Sequence, residues 1–225
     1  MKTFVCGHRN PDVDSVMSAY ALADLRRRTG THDVEAVCAG LLPEKARWVF
    51  DHFGLKPLRA KRDVYVRVRD RMDATIPLID ASQSLVEALK VLEASGESSL
   101  PVRAADGSFA GMLSPAKLLS LFIAKADLTI PVGDAPLHHC AQTLVDTDRI
   151  HDIRKAVLKN PHNHFPVVDE KGRLLGTLLK RAFAEEPPFR MILVDHNETE
   201  QGIPGLEEIP VVEVVDHHRM AFSAT

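Results

Sequence analysis

The chain has 225 residues, 45% of them hydrophobic and 26% charged, which is typical of a globular protein of one or two domains that folds without disulfides or a structural metal. Its 28 basic and 31 acidic residues give a formal net charge of −3 without a basic block, and this disfavours nucleic acid as a partner. No stretch approaches about 18 consecutive apolar residues and the chain turns polar soon after its start, so the sequence predicts neither a membrane span nor a signal peptide.

The first 65 residues alternate between strand and helix patterns. Residues 3–6 form a short apolar run, residues 14–28 have a helical pattern, residues 34–37 are again strand-like, and residues 43–53 predict a second helix. This β-α-β-α order predicts part of a parallel sheet.

The middle of the chain contains an internal repeat with an offset of 65 residues. The motif Leu100-Pro101-Val102 recurs as Phe165-Pro166-Val167, and the glycines Gly107 and Gly111 recur as Gly172 and Gly176. A helical apolar face recurs as well, with Leu85, Ala88, Val91 and Leu92 matched by Ile150, Ile153, Ala156 and Val157. Each copy predicts a β-α-β-β-α unit, the first near residues 66–125 and the second near residues 134–187.

Two further strands are predicted after the repeats. Residues 191–194 and 211–215 are β-branched runs bounded by turn residues, as expected for strands of the sheet that begins at residues 3–6. Residues 1–65 and 188–225 therefore predict one parallel, doubly wound α/β domain that the two repeats interrupt.

Polar residues that suit a metal follow three of these predicted strands. The segments are Gly7-His8-Arg9-Asn10-Pro11-Asp12-Val13-Asp14-Ser15, Asp195-His196-Asn197-Glu198 and Asp216-His217-His218-Arg219. The carboxyl ends of parallel strands lie at one edge of a sheet, where open α/β folds bind ligands. A turn with a helix cap is the alternative for the first segment, but a cap needs only one acceptor. Imidazoles and carboxylates at three strand ends predict a divalent metal site.

These three segments resemble the motifs of family II inorganic pyrophosphatases in the DHH phosphoesterase superfamily. The sequence from Ala39 to Gly54 is similar to the second helix of that family. The inserted repeats resemble a tandem pair of CBS domains, and one branch of the family carries such a pair at this point. Together the two resemblances cover nearly all of the chain.

The resemblance implies a site for two Mn²⁺ or Co²⁺ ions that activate water for attack on diphosphate. The implied ligands are His8, Asp12 and Asp195 for one ion and Asp14, Asp195 and His217 for the other. His218 resembles the residue that contacts phosphate or donates a proton, so Asp195 and His218 are the implied catalytic residues. His196 is expected either to fix ligand geometry or to be an ordinary turn histidine. Mg²⁺ is expected to arrive with the substrate.

A CBS pair often binds an adenine nucleotide in its central cleft, where the Asp of a Thr/Ser-x-x-Asp segment holds the ribose. The corresponding segments are Ser114-Pro115-Ala116-Lys117 and Leu179-Lys180-Arg181-Ala182, and neither has the Asp. We therefore expect weak nucleotide binding, with the candidate contacts Ser114, Lys117, Lys180 and Arg181. The alternative for the three basic side chains is a solvent-exposed position at the start of a helix, without a nucleotide. The histidines of the repeats are expected to be structural or exposed: His138, His139, His151, His162 and His164.

The sequence departs from the family after the last motif. Only seven residues follow His218, whereas the family continues with another metal-binding Asp and a C-terminal domain whose Lys and Arg grip diphosphate. From this departure we expect the chain as given to bind Mn²⁺ but to hydrolyse diphosphate slowly or not at all. Two alternatives stay open: a non-catalytic nucleotide-sensing or dimerisation module, and a DHH phosphodiesterase acting on short oligonucleotides or cyclic dinucleotides.

Assembly and location are predicted only in outline. CBS pairs commonly stack, and symmetric dimers are the commonest assemblies, so we expect a homodimer. The three cysteines, Cys6, Cys38 and Cys140, are widely spaced and form no CxxC pair. They predict free thiols and a cytoplasmic protein.

Overall fold

The structure, a computed structural model, describes residues 1–125, 127–135, 137 and 142–219. His138, His139 and Cys140 lie outside the described residues. The chain divides into two compact units, Met1–Val66 with Glu186–Thr225 and Arg67–Glu185. Among the described residues, no helix combines the length and the apolar character needed to cross a membrane.

The first unit is built on a parallel sheet of five strands. The strands are β1 (Lys2–Cys6), β2 (Val34–Cys38), β3 (Arg59–Ala60), β10 (Phe189–Val194) and β11 (Val211–Val215). Their order across the sheet is β11-β10-β1-β2-β3. Helix α1 (Val13–Arg28) connects β1 to β2, and helix α2 (Glu44–His52) connects β2 to β3. The predicted parallel sheet with strands from both ends of the chain is thus confirmed.

The strand order creates a topological switch point between β1 and β10. From β1 the chain moves towards β2 and β3, and from β10 it moves in the opposite direction to β11. β1 and β10 pair in register from Lys2 opposite Phe189 to Cys6 opposite Leu193, so their carboxyl ends lie level. Such a point is where open α/β sheets form a binding crevice.

Helix α1 packs on the sheet through small and β-branched side chains. The buried cluster consists of Val5, Ala19, Ala23, Val34, Ala36, Ile192 and Val194. Each fully buried Val or Ile stabilises the fold by roughly 1.5–3 kcal/mol, and the alanines of α1 allow the helix to lie close to the strands. Arg26 of α1 also places its Nη2 2.6 and 2.7 Å from the two carboxylate oxygens of Glu213 on β11.

The second unit consists of the two predicted repeats. The first copy comprises β4 (Ile79–Asp80), α3 (Leu85–Ser95), β5 (Leu100–Arg103), β6 (Phe109–Leu113) and α4 (Pro115–Ile123). The second comprises β7 (Leu144–Val145), α5 (Ile150–Lys159), β8 (His164–Val168), β9 (Leu174–Leu179) and a 3₁₀ helix (Lys180–Ala184).

The two copies share one topology. In each sheet the first strand pairs in parallel with the second, and the second pairs antiparallel with the third. Both hairpins shift register at equivalent points, between Val102 and Arg103 and between Val167 and Val168. The internal repeat predicted from sequence is therefore a structural repeat.

Two details of the second copy were predicted wrongly. It ends in the 3₁₀ helix instead of an α-helix, because Leu179 provides no side-chain cap where Ser114 caps α4, and Pro187 and Pro188 follow closely. Ala156, expected on the buried face of α5, is exposed, while Ile150 and Val157 are buried.

Among the histidines of the repeats, His164 has a structural role. It is buried on β8, with Nε2 2.9 Å from Glu97 Oε2 and Nδ1 3.3 Å from Ser98 Oγ in the first copy. This contact joins the two copies. His151 and His162 are exposed.

Candidate metal centre

The ends of β1, β10 and β11 meet at one edge of the sheet, as the sequence predicts. The residues that follow them line a cavity of about 380 Å³, together with side chains from the start of α1. Its lining is polar and consists of His8, Arg9, Asn10, Asp12, Asp14, Asp195, Gln201, His217 and His218. All five predicted metal ligands are brought together here.

Asp195 lies at the centre of the site. Its carboxylate is buried, and its two oxygens face different histidines: Oδ2 is 3.4 Å from His8 Nε2, and Oδ1 is 3.2 Å from His217 Nε2. The backbone adopts a left-handed conformation with φ of 60°, which Asp and Asn tolerate better than other non-glycine residues. Its N–H donates to Val215 O at 3.1 Å, which fixes this turn to the end of β11.

Two further carboxylates extend the site on either side of Asp195. Asp12 Oδ2 lies 3.8 Å from His8 Nε2, and Asp14 Oδ2 lies 3.5 Å from His217 Nε2. The ligand atoms of each of two sets lie within 4.8 Å of one another: His8, Asp12 and Asp195, and Asp195, His217 and His218. In the described part of the chain, no Lys or Arg pairs with these carboxylates. Carboxylate oxygens and imidazole nitrogens gathered in this way are a donor set that fits Mn²⁺ or Co²⁺.

Asp12 caps α1, and the geometry leaves it free for the metal role that the sequence gave as the alternative. Its Oδ1 accepts a hydrogen bond from Ser15 N–H at 2.9 Å and caps α1, while Ser15 Oγ accepts from Asp12 N–H at 3.0 Å. The other oxygen, Oδ2, faces His8. The backbone hydrogen bond from Ser15 lowers the pKa of Asp12, which keeps the carboxylate ionised. Gly7 lies against the same turn, since a Cβ there would be only 2.5 Å from Ser15 Cβ.

Asp216 orients His218, a role that sequence reasoning missed. The Asp216 side chain is 1% exposed; it accepts from His218 Nδ1 at 2.7 Å and from Asn197 Nδ2 at 2.5 Å. Desolvation opposes its ionisation, but hydrogen bonds from His218 and Asn197 lower the pKa of Asp216 to about 2. The same hydrogen bond raises the pKa of His218. Because Nδ1 is engaged, Nε2 of His218 is the nitrogen available to a ligand.

His196 is buried behind the site. Its Nδ1 donates to Val194 O at 2.9 Å, and its ring lies edge-on to the ring of His8 with 6.4 Å between centroids. Desolvation lowers the pKa of His196, which favours the neutral imidazole. It belongs to neither of the two ligand sets, so a part in fixing the position of His8 stays a prediction.

Two of the four candidate nucleotide contacts in the second unit make hydrogen bonds within the fold. Ser114 Oγ accepts from Lys117 N–H at 3.4 Å and caps α4. Lys180 Nζ donates to Asn160 O at 2.6 Å. Lys117 is half-buried and Arg181 is exposed. The fold thus already uses the side chains of Ser114 and Lys180.

The chain is similar to known proteins along most of its length. The DHH family, N-terminal domain, matches residues 2–225. A cobalt-dependent inorganic pyrophosphatase of Clostridium perfringens is 20% identical over 333 residues, which cover 97% of this chain and 60% of that protein. A probable manganese-dependent inorganic pyrophosphatase of Streptococcus mutans is 42% identical over 71 residues, 31% of this chain and 23% of that protein.

The chain spans 60% of the length of the Clostridium perfringens relative. The aligned stretch of 333 residues is longer than this chain, so that relative also contains inserted segments without a counterpart here. Among solved structures, the CBS-pair protein CBSX2 from Arabidopsis thaliana is 24% identical, with a TM-score of 0.46. The match covers 54% of this chain and 93% of that protein.

Proposed function

The chain belongs to the DHH family, and on that premise we propose that its sheet edge hydrolyses inorganic diphosphate with two divalent ions, Mn²⁺ or Co²⁺. The observation that carries the proposal is the position of Asp195, whose two oxygens face two separate imidazoles, each with its own further carboxylate. The relatives named as cobalt-dependent and manganese-dependent inorganic pyrophosphatases support the choice of metal and substrate.

In this proposal the residues divide as the resemblance implies. His8, Asp12 and Asp195 hold one ion, and Asp14, Asp195 and His217 hold the other. When bound, the ions supply Lewis acidity at the phosphoryl group and activate water. The buried Asp195 keeps the two ligand sets together, and the cap between Asp12 and Ser15 holds the loop that carries His8.

His218 acts on the substrate in this proposal. Asp216 holds its Nδ1, so Nε2 is the nitrogen that is left to donate to a phosphate oxygen or to the departing phosphate. Mg²⁺ enters with the diphosphate, since it prefers phosphate oxygens and water to a cage of protein ligands.

The test gives the 225-residue chain Mn²⁺, Mg²⁺ and either diphosphate or a dinucleotide. It measures phosphate release from diphosphate and mononucleotide formation from the dinucleotide, with Asp195→Asn as the blank. We expect release from diphosphate above the blank, but at fewer than roughly ten turnovers per second. The rate is expected to be low because Arg9 is the only Lys or Arg among the described residues of the cavity, and phosphoryl transfer depends mostly on positioning and electrostatics.

The alternatives give different results in this assay. Mononucleotide formation from the dinucleotide without phosphate release from diphosphate would favour the phosphodiesterase. No product above the blank from either substrate would contradict the proposal and favour a non-catalytic sensing module. Turnover at roughly tens per second or more would contradict the expected slow rate.

We further propose that the second unit forms a homodimer. Leu119, Phe122 and Ile123 of α4 are 58%, 68% and 72% exposed, and a groove of about 490 Å³ lies between α3 and α4. Contiguous exposed apolar side chains of this kind mark an interaction surface. A second copy suits it, because exposed Glu93 lines the groove and α5 exposes Lys155 and Lys159 beside Leu158.

Light scattering after gel filtration tests the dimer. We expect the wild-type chain at twice its 24.9 kDa mass and Phe122→Glu at the monomer mass. Leu41→Glu, at a site that is 84% exposed in the first unit, is the control and should leave the mass unchanged. A monomeric wild-type chain would contradict this proposal.

A cytoplasmic location is part of the proposal. Cys6 on β1 and Cys38 on β2 are both free and buried on neighbouring strands. Burial raises the pKa of their thiols to about 12 and about 11, so both stay protonated and inert in a reducing compartment.

A further inference from the structure

Arg9 occupies a distinctive place in the metal cavity. The other lining residues are carboxylates, imidazoles and amides, and Arg9 is the only Lys or Arg among the described residues of the lining. It follows His8 directly and lines the same cavity as that predicted ligand.

The backbone of Arg9 is fixed although its side chain is exposed. Its N–H donates to Gln201 O at 2.7 Å, and Gln201 Nε2 donates to Glu198 Oε2 at 2.9 Å. On the other side, the cap between Asp12 and Ser15 holds the following turn. The loop between β1 and α1 is therefore anchored at both ends, and the Arg9 side chain starts from a fixed point at the cavity.

The guanidinium of Arg9 has no partner among the described residues. Three arginines of the first unit that lie near acids do pair with them: Arg26 with Glu213, Arg28 with Asp24, and Arg59 with Glu35. Arg9 shares its cavity with Asp12, Asp14 and Asp195, yet pairs with none of them.

We infer that Arg9 binds the substrate, with its guanidinium donating hydrogen bonds to phosphate oxygens of diphosphate at the mouth of the cavity. The inference rests on the proposed function. The carboxylates and imidazoles suit metal ions, whereas a diphosphate carries anionic oxygens beyond those that two ions engage. A guanidinium presents a planar set of five donors that matches such oxygens in pairs, which a lysine ammonium does not.

Binding of imidodiphosphate, a diphosphate analogue with a nitrogen bridge, tests this inference by calorimetry in the presence of Mn²⁺. We expect Arg9→Gln to weaken binding by about 10-fold or more, as for loss of a charge-assisted hydrogen bond, and Arg9→Lys to recover part of the affinity. Arg47→Gln removes the same charge from an exposed arginine of α2 that does not line the cavity, and should change binding by less than about twofold.

A Mn²⁺ titration without the analogue separates substrate binding from a structural role. Removing a positive charge beside carboxylates does not weaken cation binding, so Arg9→Gln should bind Mn²⁺ at least as tightly as wild type. Parallel loss of Mn²⁺ and analogue affinity would overturn the inference, and so would wild-type analogue affinity in Arg9→Gln. If the wild-type chain with Mn²⁺ binds no analogue, the proposed function fails together with this inference.

Discussion

The sheet edge of the first unit and the strand-to-helix turns of the second unit both carry polar residues that the sequence predicts as ligand contacts. The fold gives these two groups of side chains different partners. At the sheet edge, Asp195 contacts His8 and His217, and all three line an open cavity. In the second unit, Ser114 caps a helix and Lys180 binds a backbone carbonyl. A polar side chain is available to a ligand where the fold leaves one of its atoms at an open cavity, as it does for Oδ2 of Asp12, so residue type alone is a weak guide to a binding site.

The largest expected effect is that of Asp195→Asn on Mn²⁺ affinity. Even the outer hydrogen-bond partners of metal ligands change affinity about 10–100-fold, so loss of the carboxylate shared by both ligand sets should weaken Mn²⁺ binding by more than about 100-fold. Asn keeps the size of the side chain and tolerates the left-handed backbone at this position. Calorimetric titration with Mn²⁺ measures the effect.

Asp33→Asn is the matched control, because Asp33 is exposed and pairs only with the amino terminus. It should leave Mn²⁺ affinity unchanged. If Asp195→Asn bound Mn²⁺ as tightly as this control, Asp195 would not be a ligand. The claim that the sheet edge, unlike the second unit, leaves its polar side chains available to a ligand would then be wrong.

The meeting of the predicted ligands at one sheet edge could be predicted from the sequence because a simple rule places them there. His8, Asp195 and His217 each follow an apolar run, and the carboxyl ends of parallel strands share one edge. The role of Asp216 could not be predicted, since it depends on a contact with Asn197 from a different strand end. Arg9 was also missed, although it lies inside the first motif. The inferred role of Arg9 depends on the absence of an acidic partner for its guanidinium among the described residues, which only the folded chain shows.

Some features of the fold could likewise be predicted from the sequence, and others could not. The repeat was predictable because the same apolar and glycine positions recur at one offset, and even the register shifts of the hairpins follow it. Strand β3 was missed because Arg59 and Ala60 form a two-residue strand within a charged segment. Such a strand is defined by its pairing with Cys38 and Val37 of β2, and local sequence carries no signal for it.

The next largest effect is expected for Gly7→Ala. A Cβ at Gly7 would lie 2.5 Å from Ser15 Cβ, so the loop or the helix must move, and such overpacking destabilises by about 1–3 kcal/mol. The movement displaces the loop that carries His8, so Mn²⁺ affinity should fall as well. Denaturant unfolding and a Mn²⁺ titration measure the two effects.

Gly54→Ala separates stability from metal binding. Its φ of 61° makes a side chain unfavourable by roughly 1–2 kcal/mol, but nothing lies within 4 Å of the added Cβ. We expect a similar loss of stability with unchanged Mn²⁺ affinity. Equal Mn²⁺ affinity in the two variants would show that Gly7 does not position the site.

A smaller effect is expected when a carboxylate is introduced into the second unit. The wild-type chain should bind AMP, ADP and ATP more weakly than roughly 1 μM, because Lys117 of the first copy stands where the motif that the repeats resemble has an Asp for the ribose. Lys117→Asp should tighten binding by about 10-fold, as for one charge-assisted hydrogen bond. Calorimetry with each nucleotide measures this, and Lys117→Ala controls for the loss of the lysine. Sub-micromolar binding by the wild-type chain would overturn the prediction.

The smallest effect is expected where the two repeats differ at the start of a helix. In the first copy Ser84 caps α3: Ser84 Oγ accepts from Glu87 N–H at 3.2 Å, and Ser84 N–H donates to Glu87 Oε2 at 2.9 Å. In the second copy Arg149, 65 residues later, gives α5 no side-chain cap. Ser84→Ala should therefore lower the free energy of unfolding by about 1 kcal/mol at pH 7.

The pH dependence of this loss distinguishes the reciprocal cap from a simple loss of helix propensity. The backbone N–H of Ser84 and, second, its hydroxyl, which lies 2.9 Å from Glu87 Oε2, donate hydrogen bonds that lower the pKa of Glu87. Ser84→Ala removes only the hydroxyl bond, whose stabilising contribution is present above the unfolded-state pKa of about 4.3. It disappears as the pH falls through the lower pKa of the folded state. The effect of Ser84→Ala, measured by urea unfolding, should thus be smaller at about pH 3 than at pH 7. In a Glu87→Gln background the difference between the two pH values should vanish, because no carboxylate titrates; a difference that persists there would show that the pH dependence comes from elsewhere.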